Sequence, residues 1–141
     1  MTGSGNRHAI LTDVQKVLNG EEERVVDIRP HEKGERFEEL PMDKFAEHTR
    51  AFVKVEDGCN RRCAYCVIPR ARGPVRSRDE TSVLEELRRL ADAGYKEVVL
   101  TAISLPSYGH RQRYEPGGTD RKKPPRFPAL KRIRLGSLDP D

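Results

Sequence analysis

The sequence contains no tryptophan, four phenylalanines and four tyrosines, and hydrophobic residues fill only 35% of its 141 positions. A chain so poor in apolar material can bury only a small core. No apolar run approaches the length needed to cross a bilayer, and the first residues lack the apolar stretch of a secretory signal. The expectation is a soluble, cytoplasmic protein with no membrane partner. Cysteine is also scarce: there are three, an odd number, and all fall between positions 59 and 66. That layout is a poor one for a disulfide framework and fits metal binding by thiolates in a reducing compartment better. There are no internal repeats that would announce a solenoid.

Charge is abundant. Charged residues make up another 35%, and the formal net charge is +4. The basic residues crowd positions 61–78 and 111–134, which favours an anionic partner. Ten prolines and eleven glycines imply that much of the length is loop.

The apolar period predicts a short helix from His8 to Leu18, with Ile10, Val14, Val17 and Leu18 on one face and Asn19-Gly20 as its stop. Arg24 to Ile28 reads as a brief strand, and residues 29–50 read as an extended connector rich in charge. Phe52, Val53 and Val55 then predict a strand running into Asp57-Gly58, which places the cysteines in a loop at a strand's C-terminal end. Ser82-Val83-Leu84-Glu85 matches a capping box, and Val83, Leu84, Leu87, Leu90 and Ala91 carry a helix to Gly94. Glu97 to Thr101 has the continuous apolar character of a buried parallel strand, so the whole reads as one right-handed βαβ unit. Residues 110–129 are expected to be irregular, and Ile133 to Leu138 to form a half-buried strand.

Cys59-Asn60-Arg61-Arg62-Cys63-Ala64-Tyr65-Cys66 sets three soft ligands in one loop. Three thiolates suit an iron-sulfur cubane that keeps one iron free for a cofactor. They also suit a structural zinc site completed by His48 or His110. In that second case the chain is a zinc-stapled RNA-binding module without catalysis; a third reading is an inert remnant with uncovered sheet edges.

From Thr49 through Val55-Glu56-Asp57-Gly58-Cys59 to Cys66-Val67-Ile68-Pro69, the sequence resembles the radical-SAM methylthiotransferase family. Ala71-Arg72-Gly73-Pro74-Val75-Arg76-Ser77-Arg78, Gly94-Tyr95-Lys96-Glu97-Val98-Val99-Leu100-Thr101, Ser107-Tyr108-Gly109 and Arg132-Ile133-Arg134-Leu135-Gly136-Ser137-Leu138 look most like its threonylcarbamoyladenosine tRNA branch. The resemblance implies an α/β fold, a partial radical-SAM barrel of TIM type over residues 51–141. Residues 1–50 are then the tail of an upstream α/β methylthiotransferase domain plus a linker. It implies a 4Fe-4S cluster on Cys59, Cys63 and Cys66 and S-adenosyl-L-methionine as cofactor. The reaction implied is addition of a methylthio group to carbon 2 of N6-threonylcarbamoyladenosine, at position 37 beside the anticodon. The partners implied are the tRNA anticodon stem-loop and an electron donor.

Carried over by position, Tyr65 matches the aromatic residue beside the cofactor adenine, and Ser104 stands where the family has an asparagine, making it a second candidate cofactor contact. Arg72, Arg76 and Arg78 are candidates for contacts to cofactor or tRNA phosphates. No catalytic residue is assigned beyond the cluster ligands. Relatives carry a second cluster on three upstream cysteines, and no cysteine precedes Cys59 here, so that cluster is not supported by this chain. The expectation is therefore an incomplete form of such an enzyme, short of what turnover by itself requires.

Overall fold

The computed structural model describes residues 1–32, 34–40, 49–109 and 126–138. Its centre is a three-stranded parallel sheet in the order β1-β4-β5, formed by Ala51–Lys54 (β1), Glu97–Thr101 (β4) and Arg132–Leu135 (β5). Ala51 pairs with Val98 and Lys54 with Thr101; on the other side Glu97 pairs with Arg132 and Leu100 with Leu135. Between β1 and β4 the chain makes a short antiparallel hairpin, β2 (Glu56–Asp57) with β3 (Arg76–Ser77), and the helix α3 (Glu80–Asp92). Parallel strands need such a crossover, because a tight turn can join only antiparallel neighbours.

The core follows from two periodicities. Along β1, Ala51 and Val53 are buried while Phe52 between them is 40% exposed, as a period of two requires. Along α3 the buried positions are Val83, Glu86, Leu87, Leu90 and Ala91, the spacing of one helical face. These meet in a single cluster of Ala51, Val53, Val55, Val83, Leu87, Leu90 and Val98. Helix α3 ends in a Schellman arrangement: Gly94 takes φ +95°, its N–H donates to Ala91 O, and the Tyr95 N–H donates to Leu90 O at 3.1 Å.

Several sequence expectations are corrected. The Asp79 carboxylate caps α3, accepting from the Thr81 and Ser82 N–H groups. Ser82 is therefore inside the first turn, and its hydroxyl serves Arg78 and Glu39. Asp79 wins because it caps the helix one turn earlier, adding backbone hydrogen bonds that a start at Ser82 would forgo. Arg24 to Ile28 forms no strand among the described residues beyond one parallel bridge, Thr2 with Asp27; Val26 and Ile28 are more than half exposed, so no sheet face rewards pairing there. Strand β5 is exposed at all four positions instead of half-buried, since no described element covers Ile133 and Leu135. The N-terminal helix (α1, Ile10–Leu18) is present, preceded by a 3-10 turn at Arg7–Ala9. Most of the segment expected to be irregular, residues 110–125, lies outside the described residues; Phe127 and Leu130 pack against the core.

Candidate functional site

The cysteines sit on the loop of the β2–β3 hairpin, which rises from the end of the sheet where β1 and β4 terminate. Active groups collect at such strand ends because side chains from several strands converge there while the sheet stays rigid. The root of the loop is closed by hydrogen bonds across it. The Cys59 N–H donates to Gly73 O at 3.0 Å and the Val75 N–H to Asn60 Oδ1 at 3.1 Å. Gly58 adopts φ +82°, and a Cβ there would fall 2.1 Å from Pro74 O. Only glycine fits, for reasons of both dihedral and space.

Above the root, the Cys66 N–H donates to Cys63 O at 3.1 Å, which turns the chain into the five-residue helix α2 (Ile68–Arg72). Cys63 and Cys66 line a cleft of about 580 Å3, together with Tyr65, Arg62 and Arg70. Tyr65 is 94% exposed. Cys63 is exposed, Cys59 and Cys66 are half-buried, and all three are free thiols. The Arg61 N–H lies 3.4 Å from Cys59 Sγ. Among the described residues no three His, Cys, Asp or Glu side chains are drawn together closely enough to hold a metal ion. The donor set nonetheless fits an iron-sulfur cluster by its chemistry: three soft thiols share one loop, two of them on the wall of an open cleft and Cys59 at its root, and three thiolates would leave one iron for a further ligand. His48 and His110, the zinc alternatives, lie outside the described residues.

Two adjacent acids support this loop from below. Asp57 is buried and accepts the Gly58 N–H at 2.9 Å. Burial works to raise its pKa, but the Lys54 ammonium, the Gly58 N–H and Arg72 outweigh it and hold the carboxyl below its ordinary value. Glu56 is also fully buried, its Oε2 accepting the Ile103 and Ser104 N–H groups, each at 3.1 Å. Here desolvation dominates over those two bonds and raises the pKa. Glu56 Oε1 and Ser104 Oγ, both buried, have no partner among the described residues.

Of the expected site residues, Cys63, Cys66 and Tyr65 are brought to one cleft, and Cys59 stands at the root of the same loop. Ser104 follows β4 and is tied to Glu56; it does not line the cleft. The three arginines separate. The Arg72 side chain is 43% exposed and lies 3.5 Å from Asp57. Arg76 and Arg78 are buried, Arg76 near Asp57 and Glu35, Arg78 against Glu86, Glu39 and Ser82. Buried guanidinium groups facing carboxylates act first as framework. Sequence reasoning passed over Glu56, Asp57, Arg62 and Arg70; an acidic pair directly after an apolar strand was the available sign.

The radical SAM superfamily matches residues 53–134. The chain is 41% identical over 108 residues to the threonylcarbamoyladenosine tRNA methylthiotransferase MtaB of Bacillus subtilis, covering 76% of this chain and 24% of that protein. It is 42% identical over 107 residues to the tRNA-2-methylthio-N(6)-dimethylallyladenosine synthase of Pelotomaculum thermopropionicum, with 76% and 23% covered. It is 38% identical over 109 residues to the ribosomal protein uS12 methylthiotransferase RimO of Thermus thermophilus, with 77% and 23% covered. The chain thus spans about a quarter of the length of these curated relatives. With a three-cysteine loop at the C-terminal end of a parallel sheet, inside the matched residues, this chain belongs to the radical SAM superfamily, and its relatives there are methylthiotransferases.

Proposed function

We propose that this chain supplies the cluster-binding part of a tRNA methylthiotransferase that adds a methylthio group to carbon 2 of N6-threonylcarbamoyladenosine at position 37. The observation that carries the reading is the placement of three free thiols on one loop, beside an open cleft, within a superfamily match of residues 53–134. A 4Fe-4S cluster on Cys59, Cys63 and Cys66 would supply one electron to S-adenosyl-L-methionine bound at the position the three thiols leave free.

The chain's own residues then have separable tasks. Tyr65, projecting from the loop, offers a ring face to the cofactor adenine. Ser104 offers a buried hydroxyl at the sheet end to a polar group of the cofactor. Arg72, half-exposed at the end of α2, can reach a phosphate, as can Arg62 and Arg70 on the cleft wall. Arg76 and Arg78 hold the frame from inside, and a phosphate would reach them only by displacing their carboxylates. The anticodon stem-loop is the anionic partner that this basic rim suits, and an external electron donor completes the cycle. The threonylcarbamoyl branch is favoured by the sequence words at 71–78, 94–101 and 132–138.

The test is incubation of the iron-loaded chain with S-adenosyl-L-methionine, a strong reductant and an anticodon stem-loop bearing the modified adenosine. Formation of 5′-deoxyadenosine that is abolished by Cys63→Ala supports the reading. Gain of a methylthio group by the RNA identifies the substrate. Protein that takes up no iron, or that holds it equally well as Cys63→Ala, would refute it.

A further inference from the structure

Within residues 29–50, read from sequence as connector, His31 and Glu35 meet the root of the cysteine loop. The side chain of His31 is only 5% exposed and lies against Gly73, a residue at φ +71°. A Cβ on Gly73 would come 2.4 Å from His31 Cβ and 2.6 Å from its Cγ, so ring and backbone touch with space for a hydrogen atom alone. The carbonyl of the same Gly73 accepts the Cys59 N–H. His31 Nε2 hydrogen-bonds to Ser4 Oγ at 2.8 Å, and Ser4 Oγ donates to Ala71 O at 2.8 Å. On the other side of the ring, Nδ1 hydrogen-bonds to Glu35 Oε2 at 2.7 Å. Arg76 Nη1 lies 3.3 Å from that nitrogen and 3.5 Å from the Glu35 oxygen.

Four consecutive carbonyls along the root are consequently engaged. Ala71 O is held by Ser4, Arg72 O by Arg76 at 2.8 Å, Gly73 O by Cys59, and Pro74 O by Arg76 at 3.4 Å. All but Gly73 O depend on upstream residues, Ala71 O on Ser4 beside His31, and Arg72 O and Pro74 O on Arg76 beside Glu35. A loop held along one side in this way cannot slide relative to the segment that leads from β2 to Cys59, and a ligand's position is set as much by such supporting contacts as by its own side chain.

We propose that His31, with Ser4 and Glu35, is a positioning element for Cys59: a latch from the upstream segment that fixes the root of the loop and thereby the first thiol presented to the cluster. The inference rests on reading the loop as an iron-sulfur site. Its failure is distinguishable from failure of that reading, because it concerns how firmly iron is held and not whether it is taken up.

The test uses the full chain reconstituted with iron and sulfide, challenged with excess iron chelator, and examined by electron paramagnetic resonance after reduction. His31→Ala is expected to release iron about tenfold faster than wild type, with an altered line shape. Glu35→Gln, a milder change, shifts both in the same direction, and His31→Gln, which keeps an amide donor toward Ser4, restores most of the retention. Glu38→Gln is the control, since Glu38 pairs with Arg7 in the same upstream segment and does not touch the root; it should behave as wild type. Equal release by His31→Ala and wild type, or equal acceleration by Glu38→Gln, overturns the latch. Should His31→Ala fail to fold, Glu35→Gln decides by the same criteria. If wild type takes up no iron, the latch is judged by hydrogen exchange at the Cys59 amide, which must speed up in His31→Ala and not in Glu38→Gln.

Discussion

Replacing Gly58 by alanine tests whether the cysteine loop is closed at its root. Two costs add. A non-glycine residue at φ +82° carries a conformational penalty of roughly 1–2 kcal/mol. The new Cβ would also lie 2.1 Å from Pro74 O, 2.6 Å from Pro74 C and 2.8 Å from Gly73 O, all backbone atoms. Relief requires the two sides of the root to part by more than an ångström, which breaks the Cys59 N–H to Gly73 O bond and leaves about 1 kcal/mol of hydrogen bonding unmade. The sum is roughly 2–3 kcal/mol, about 10–20 °C in Tm for a unit of this size. Gly94 is the matched reference: its φ is +95° but nothing lies within 4 Å of its added Cβ, so Gly94→Ala should show the conformational cost alone, about 1–2 kcal/mol. Thermal unfolding followed by circular dichroism reads both. If Gly58→Ala were no more damaging than Gly94→Ala, the close approach of Gly58 to Pro74 would be wrong, and with it the rigid root of the site.

Other outcomes follow from the same geometry. Leu90 is completely buried in the cluster between α3 and β1, so Leu90→Ala should cost about 2–5 kcal/mol in denaturant unfolding. Asp79→Ala removes the cap that Thr81 and Ser82 donate to and should cost about 0.5–2 kcal/mol by the same measurement. Glu56 has a raised folded pKa, so the folded state binds more protons than the unfolded one above the ordinary value of 4.5, and stability falls as pH rises through that window. Glu56→Gln, whose amide oxygen can still accept from Ile103 and Ser104, should remove this part of the decline in a pH series of melts. Asp57 works in the opposite sense: with its pKa lowered, the stability it contributes is present above 3.8 and is lost as pH falls through the folded value, so Asp57→Asn should flatten the acid limb.

Much of this was legible in the sequence, and where it was not the causes are local. Leu87 and Leu90 declared their helical face by period, Val98 its strand by a continuous apolar run, and Gly94 the end of α3. The three cysteines stood out by spacing, and their place after a strand could be read from Val53, Val55 and Gly58. The cap was read at Ser82, whereas Asp79 three residues earlier takes it, and only the surrounding Arg78 and Glu39 show that the serine hydroxyl is used elsewhere. The burial of Ile133 and Leu135 could not be judged from alternation, because alternation gives a face without saying what covers it. His31 and Glu35 were hidden for a different reason: a histidine in a charged stretch carries no periodic sign, and its contact with Gly73 joins residues 42 positions apart. The burial of Arg76 and Arg78 likewise depended on acids at 35, 39, 57 and 86, which spacing does not bring together.

The most direct test of the central claim is anaerobic reconstitution with iron and sulfide, followed by metal analysis and electron paramagnetic resonance of the reduced protein, with and without S-adenosyl-L-methionine. The account predicts about four irons per chain, lost in a variant lacking Cys59, Cys63 and Cys66, and a signal that changes when S-adenosyl-L-methionine is added. A protein that holds no iron and binds zinc tightly in its place would contradict it.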